Sequence, residues 1–350
     1  MALSTREYLS KTPFLIFLKH ENIGILLFEV INQNFDINII NNYRKNYYPD
    51  DIIELYLQKH YPEKTKLYDK NISSEFLLHS LEQKKDPKTT LNNSIEVNKI
   101  INSGGTVTSS PYVEKKDYQK DYILNEKVRG KVTELIVKKN KIKNPRVLDI
   151  GAGFGALGIS LARNFNTTSI DVNPSTLKFI EYRAQQEKVN LKVKKINHLF
   201  YGLPFEDKSF DIVVMNGVLE WVASSIEGDV KTIQETILKD ISRILKKNGT
   251  LVWGIENRLA WDWMKGKTSH VSIKYIDLMP RWLANIISMK KKGQKYRTYI
   301  YSKPTYKKML KKVGLNEIEF YTAYPTYQKP KTILKNKNPF VNSFIIFSKK

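Results

Sequence analysis

The sequence predicts an α/β fold built on a parallel sheet, with a small, mainly helical module ahead of it. Three observations carry this. Five short apolar runs, at 147–150, 167–172, 191–196, 211–216 and 250–255, alternate with stretches of helical periodicity. Strands that alternate with helices in this way pair in parallel. The first run breaks into a glycine-rich turn that leads straight into a helical pattern, and the second ends in an acid, Asp171. Ligands of such sheets bind at the carboxyl ends of the strands, so the candidate site residues are sought there.

Residues 1–90 lack this alternation and are read as an accessory module of unknown role. The segments 23–30 and 35–40 fit strands or short helices equally, because periodicity alone does not separate them. A helix is predicted after Pro49-Asp50-Asp51, with Ile52, Ile53, Leu55, Tyr56 and Leu57 behind an acidic start. Another is predicted over 73–82. Residues 83–112 are polar and turn-rich, and a linker is drawn at 91–115. The main domain is then 116–350. Tyr118, Tyr122, Leu124, Val128, Val132, Leu135 and Ile136 give helical spacing over 117–140, ahead of the first strand.

The stretch 146–171 reads RVLDIGAGFGALGISLARNFNTTSID. It is a strand, a glycine turn, a helix with Leu157, Leu161 and Phe165 on one stripe, and a second strand ending near Asp171 and Val172. Glycines let a backbone approach a ligand closely. A helix start offers free N–H groups to a negative group. An acid at the end of the second strand suits the two hydroxyls of a ribose. Gly153, Gly155 and Gly158 fit a dinucleotide fingerprint, which taken alone points weakly to NAD. The glycine that ends the strand is Gly151, however, and Asp149 lies two residues before it.

This acid-x-Gly-x-Gly-x-Gly pattern resembles that of class I S-adenosyl-L-methionine (SAM) methyltransferases. LPFEDKSFDIVV at 203–214 is similar to a segment of the UbiE-like (methyltransferase type 11) members, and KDISRILKKNG at 239–249 to their helix and turn before the fifth strand. The resemblance covers about 115–350 and is strongest over 146–256. It implies a Rossmann-like, seven-stranded, mostly parallel sheet with helices on both faces, its last-added strand antiparallel. It implies SAM as cofactor, held by Asp149, Gly151, Gly153, Gly155, Asp171 and Val172. It places Asp149 near the ligand's amino-acid portion. It also implies that the helix before the first strand packs across the SAM site, with Tyr118 a contact there.

The third strand ends at Asn197-His198. The resembled family often has an aspartate here, near the adenine amino group; Asn197 accepts the same hydrogen bond, with His198 as its alternative. At the end of the fourth strand, Asn216 and Gly217 are expected under the SAM. An Asn-Pro-Pro-aromatic motif is absent, which weighs against base N-methylation. Glu220 and Trp221 are read as opening the next helix, with Glu220 either facing the acceptor or complementing the helix N-terminus. After the fifth strand come Glu256, a candidate base, and Arg258, a candidate anion clamp on the substrate.

Residues 259–303 are read as a substrate-side insertion. His270 ends its first turn and is a candidate base for an acceptor hydroxyl. Ile276, Met279, Leu283, Ile286 and Ile287 predict a helical stripe, with Trp282 beside it as a substrate contact and Lys290, Lys291 and Lys292 after it. That helix suits a lid, an interfacial amphipathic helix, or a helix packed on the core. A helix follows over 306–313. Strands at 317–321 and 343–348 close the sheet, joined by a connection that carries Pro325, Tyr327 and Pro330.

The chain has 350 residues, no cysteine and a net charge of +23 from 58 basic and 35 acidic residues. Without cysteine, disulfides, thiolate zinc sites, iron–sulfur clusters and cysteine-nucleophile methyl transfer are excluded. No metal site is expected. No apolar run reaches the ~18 residues that span a bilayer, no cleavable signal pattern is read at the start, and a cytoplasmic location is expected. The charge fits an anionic partner or a Lys-, Ile- and Asn-rich composition. The expected activity is SAM-dependent methyl transfer to a small-molecule or carrier-linked acceptor, such as a sugar in glycan assembly or a lipid-like precursor, with peripheral membrane-surface contact by the insertion. An RNA acceptor is the alternative enzyme; a SAM-binding or partner-binding protein without turnover is the alternative of another class.

Overall fold

The computed structural model describes residues 16–20, 24–28 and 126–350, apart from 173, 197–198, 225–227 and 336–337. The chain divides into two compact units, one of residues 1–112 with 173–175 and one of 113–172 with 176–350. In the first, β1 (Ile16–His20) and β2 (Gly24–Phe28) pair antiparallel, with Leu18 opposite Leu26. The stretch that fitted strand or helix equally is therefore strand over Gly24–Phe28. The helices expected at 52–57 and 73–82, the linker and Tyr118 lie outside the described residues.

The second unit holds an eight-stranded sheet. Its strands are β3 (Arg146–Ile150), β4 (Asn166–Asp171), β5 (Leu191–Lys195), β6 (Phe210–Asn216), β7 (Leu245–Glu256), β8 (Glu319–Tyr324), β9 (Thr332–Lys335) and β10 (Ser343–Lys349). Their spatial order is β5-β4-β3-β6-β7-β10-β8-β9. The first five pair in parallel. β10 lies antiparallel between β7 and β8, the arrangement the resemblance implied. The eighth strand, β9, was not expected. It pairs antiparallel with β8 at the sheet edge and uses part of the connection before β10.

β6 reads FDIVVMN and is buried at every position, as a central strand covered on both faces must be. Period-2 alternation sorts its side chains. Ile212 and Val214 join Val147, Val252 and Ile345 under α2 (Lys131–Lys139) and α3 (Ala156–Ala162), which contribute Val132, Ile136, Leu157 and Leu161. Val213 and Met215 join Leu148, Ile150, Leu251 and Trp253 on the other face. There they meet Ile233, Ile237 and Ile241 of α5 (Val230–Ile244), and Tyr306 and Met309 of α8 (Lys303–Lys312). Each such side chain contributes roughly 1.5–3 kcal/mol by burial. The remaining helices are α1 (Glu126–Arg129), α4 (Pro174–Gln186), α6 (Trp261–Met264) and α7 (Arg281–Lys292).

The two sequence segments at 203–214 and 239–249 are physically coupled. Arg243 of α5 donates to the carbonyls of Leu203 (2.9 Å) and Phe205 (2.8 Å) and to the carboxylates of Asp207 (2.8 Å) and Asp240 (2.6 Å). Asp240 in turn accepts the Leu203 N–H. Asp211, at the start of β6, accepts from the Arg146 N–H (2.9 Å) and the Lys246 ammonium (2.8 Å). These bonds fix the entry into β6, and with it the position of the far end of that strand.

Two local expectations change. Residues after β6 turn without starting a helix, and the next helix is α5, begun at Val230 behind the Asp229 cap, whose carboxylate accepts the Thr232 N–H at 2.8 Å. Glu220 therefore complements no helix N-terminus. The apolar stripe from Ile276 to Ile287 is also not one helix. Pro280 caps α7, which begins at Arg281, since proline disfavours helical backbone in the residue before it. Ile276 and Met279 precede the helix and pack with Ile273, Ala284, Ile287 and Tyr296 in a small core of the insertion's own.

Candidate active site

The glycine turn leaves β3 at the carboxyl edge of the sheet. Gly151 and Ala152 donate to the Ile170 carbonyl at 2.9 and 3.1 Å, which folds the turn against β4. Gly153 has φ +53° and Gly155 φ +80°, values that favour glycine. Their surroundings differ. A Cβ at Gly155 would lie 2.9 Å from Ile180, whereas one at Gly153 would meet nothing within 4 Å. The space over Gly153 is open to a ligand. The half-buried Asp171 carboxylate reaches the same place, accepting the Gly153 N–H at 3.0 Å. Val172 follows it and is half-buried against the core.

Asp149 lies deeper. It is 2% exposed, accepts the Ser169 hydroxyl at 2.9 Å, and is pushed up to about 6 by burial. Gly158 lets α3 come this close, for a Cβ there would lie 2.3 Å from the Ser169 hydroxyl and 3.0 Å from the Asp149 carboxylate. The third glycine of the fingerprint thus serves helix–sheet packing. Asp149 faces the first turns of α3, where a carboxylate is favoured by the helix dipole.

Across the edge, Asn216 ends β6. Its amide oxygen and nitrogen are both buried without a protein partner, so they suit a polar group of a ligand. Gly217 and Gly254 leave room for the Tyr327 ring; a Cβ at either would come within 2.8 or 3.1 Å of it. Asn197 and His198 lie outside the described residues.

The three candidate catalytic residues meet. One ligand-type atom each of Glu220, Glu256 and His270 lie within 4.8 Å of one another. Glu220 follows β6, Glu256 ends β7, and His270 reaches back from the insertion. His270 Nε2 stands 3.4 Å from Glu256 Oε1, with its ring against Trp221 at 4.6 Å between centroids. The Tyr327 hydroxyl sits between the acids, 3.1 Å from Glu256 Oε1 and 3.3 Å from Glu220 Oε1. Burial, helped by the Glu256 charge, pushes Glu220 up to about 8. Burial works against the His270 cation, but Glu256 and Glu220 outweigh it and hold the imidazole at about 9. This set joins the glycine turn through Val218, whose methyl a Cβ on Gly151 would approach to 2.4 Å.

Other expectations are placed differently. Arg258, read as an anion clamp, donates instead to the main-chain carbonyls of Asp277 (2.8 Å), Leu278 (3.3 Å) and Met279 (2.9 Å), pinning the insertion to the end of β7. Trp282 is 66% exposed on α7. Two further residues, from segments read as facing the substrate side, lie at the site. Tyr327 lies in an aperiodic connection, and Asn257 holds the segment that leads into β10 through the Pro339 and Val341 carbonyls, at 2.7 and 2.8 Å.

Residues 148–253 match the family model described as a methyltransferase domain. Among curated proteins, an uncharacterised protein of Methanocaldococcus jannaschii is 33% identical over 134 residues, 38% of this chain and 51% of that one. Release factor glutamine methyltransferase of Fusobacterium nucleatum is 28% identical over 95 residues, 24% of this chain and 26% of that one. The chain thus spans about a quarter to a half of the curated relatives it matches. Among solved structures, a SAM-dependent methyltransferase from Thermotoga maritima, described as a possible histamine N-methyltransferase, is 16% identical with a TM-score of 0.46, covering 68% of this chain and 95% of that one. The match over 148–253 is to a methyltransferase domain, and it indicates S-adenosyl-L-methionine as the cofactor. The open space over Gly153, the Asp171 carboxylate beside it and the unpartnered Asn216 amide fit that cofactor.

Proposed function

We propose that this chain is a methyltransferase of the UbiE-like kind that methylates a small or carrier-linked metabolite. The observation that carries the reading is the meeting of Glu220, Glu256 and His270, with Val218, two residues before Glu220, packed on the glycine turn. SAM supplies an electrophilic methyl group on sulfur. The chain holds it by the turn, with Asp171 on the ribose hydroxyls and Asn216 on a polar group. The acceptor's nucleophilic atom lies over the ends of β6 and β7. When bound, SAM would supply the methyl group, and a carboxylate oxygen of the cluster would take the proton that the acceptor gives up. Holding the two reactants in line contributes much of the acceleration.

An acceptor with an apolar part is favoured by aromatic side chains on the segments around these strand ends. Trp221, Trp261 and Phe340 are 42%, 53% and 43% exposed, and the last two rings lie 6.5 Å apart. Incubation of the protein with methyl-labelled SAM and fractionated cell extract tests the reading. Label is expected in a low-molecular-mass or lipid-extractable product, and Glu256→Gln should abolish it. Label confined to RNA would replace the metabolite with a nucleic acid, and no label in any fraction would favour a binding protein without turnover.

A further inference from the structure

We propose that Glu220, Glu256, His270 and the Tyr327 hydroxyl form a site for one divalent cation of the manganese-to-zinc range. The donors are right in kind: two carboxylates, one imidazole and a phenol oxygen, a hard-to-borderline set. They are right in spacing. A cation with bonds of ~2.1 Å holds neighbouring tetrahedral ligands about 3.4 Å apart, and His270 Nε2 lies 3.4 Å from Glu256 Oε1. Glu220 comes within 4.8 Å of both.

A second observation points the same way. Glu220 is wholly buried, yet its Oε2 has no hydrogen-bond partner. Glu256 Oε2 is likewise buried without a hydrogen bond. Two converging orphan carboxylate oxygens are costly for a purely structural cluster, because each buried polar group without a partner costs about 1–3 kcal/mol. A cation satisfies both together and takes the place of the proton on the His270 ring nitrogen that faces Glu256. The surroundings hold them in place. Trp221 packs on the His270 ring, Gln328 donates to the Tyr327 hydroxyl at 3.3 Å, and the Tyr327 N–H is bound by Ser343 at 2.8 Å. Such support is what orients metal ligands. The cation would take an oxygen of the acceptor as a further ligand and lower its proton affinity. That role rests on the methyl-transfer reading; the binding of the cation does not.

The test uses the full, untagged chain, stripped with chelator and exchanged into chelator-free buffer. Manganese(II) is added and the free ion is followed by electron paramagnetic resonance. Saturable uptake of one ion per chain, displaced by zinc(II), is expected. Glu256→Gln and His270→Asn should each weaken it by about tenfold or more, with the circular dichroism unchanged. Glu319→Gln, at the opposite end of the sheet, should not. No uptake of either ion up to about 1 mM, or uptake undiminished in both site variants, would overturn the site. SAM binding on the same samples separates the two readings. SAM binding without cation uptake overturns this inference alone, whereas cation uptake without SAM binding keeps the site and overturns the methyltransferase.

Discussion

At Gly153 and Gly155 the same residue type does two jobs. Gly153→Ala places a Cβ in open space, so the fold should tolerate it apart from the cost of its positive φ, roughly 1 kcal/mol. Its main effect should be on SAM affinity. Gly155→Ala drives a Cβ against Ile180 at 2.9 Å and should lose stability by roughly 1–3 kcal/mol, as overpacking does. Urea denaturation and SAM titration of both variants check the division; equal losses of stability would contradict it. At Glu220 and His270 the sign of the pH dependence follows from raised values in the folded state. Each group's contribution is fully present below its unfolded value and lost as pH rises through its folded one. The windows are 4.5 to about 8 for Glu220 and 6.5 to about 9 for His270. The melting temperature should therefore fall as pH climbs from about 5 to about 9. Glu220→Gln should flatten the lower part of that fall. A melting temperature that rises over this range would contradict the assignment.

At the scale of elements, Arg243 explains why two sequence segments 40 residues apart work as a unit: it is bonded to the Leu203 and Phe205 carbonyls and to two aspartates. Arg243→Met should cost about 2–4 kcal/mol, since several charge-assisted bonds are lost and buried carbonyls are left unpaired. Differential scanning calorimetry reads this directly, and an unchanged melting temperature would show the contacts to be incidental. α7 presents Trp282, Ile286 and Met289 outward, at 66%, 58% and 48% exposure, one or two turns apart on one face and followed by Lys290, Lys291 and Lys292. Vesicles of anionic lipid should retain the wild type more than a Trp282→Ala variant if this face meets a membrane; absence of flotation by the wild type would leave α7 as a soluble part of the insertion.

The strands could be read from the sequence because each is a short, β-branched apolar run between turn signals, and burial then enforces what the pattern announces. Trp253 is fully buried in the run that predicted its strand. The individual site candidates were legible for a related reason: polar residues at the carboxyl ends of apolar strands stand out, and Glu220, Glu256 and Asp171 all sit there. Their meeting was not legible. His270 approaches Glu256 by the path of the insertion, and no spacing encodes that path. Tyr327 arrives from a connection without period, and β9 is formed by a four-residue edge segment too short to announce itself. Arg258 misled for a physical reason. A guanidinium after an apolar strand looks the same in sequence whether it awaits an anion or binds three carbonyls.

For the molecule as a whole, the net charge of +23 makes a salt series informative. Binding of total cellular RNA that weakens steeply with salt would be the mark of phosphate neutralisation; for a metabolite acceptor, RNA binding should be weak at low salt and irrelevant to turnover. On the proposed function, the glycine turn and Asp171 hold SAM. Isothermal titration of the full chain with S-adenosylmethionine and S-adenosylhomocysteine tests it most directly. Both should bind at one site per chain, and Asp171→Ala should weaken them by roughly 1–3 kcal/mol, the scale of lost charged hydrogen bonds. Absence of heat with either ligand, together with tight binding of NAD, would contradict the account.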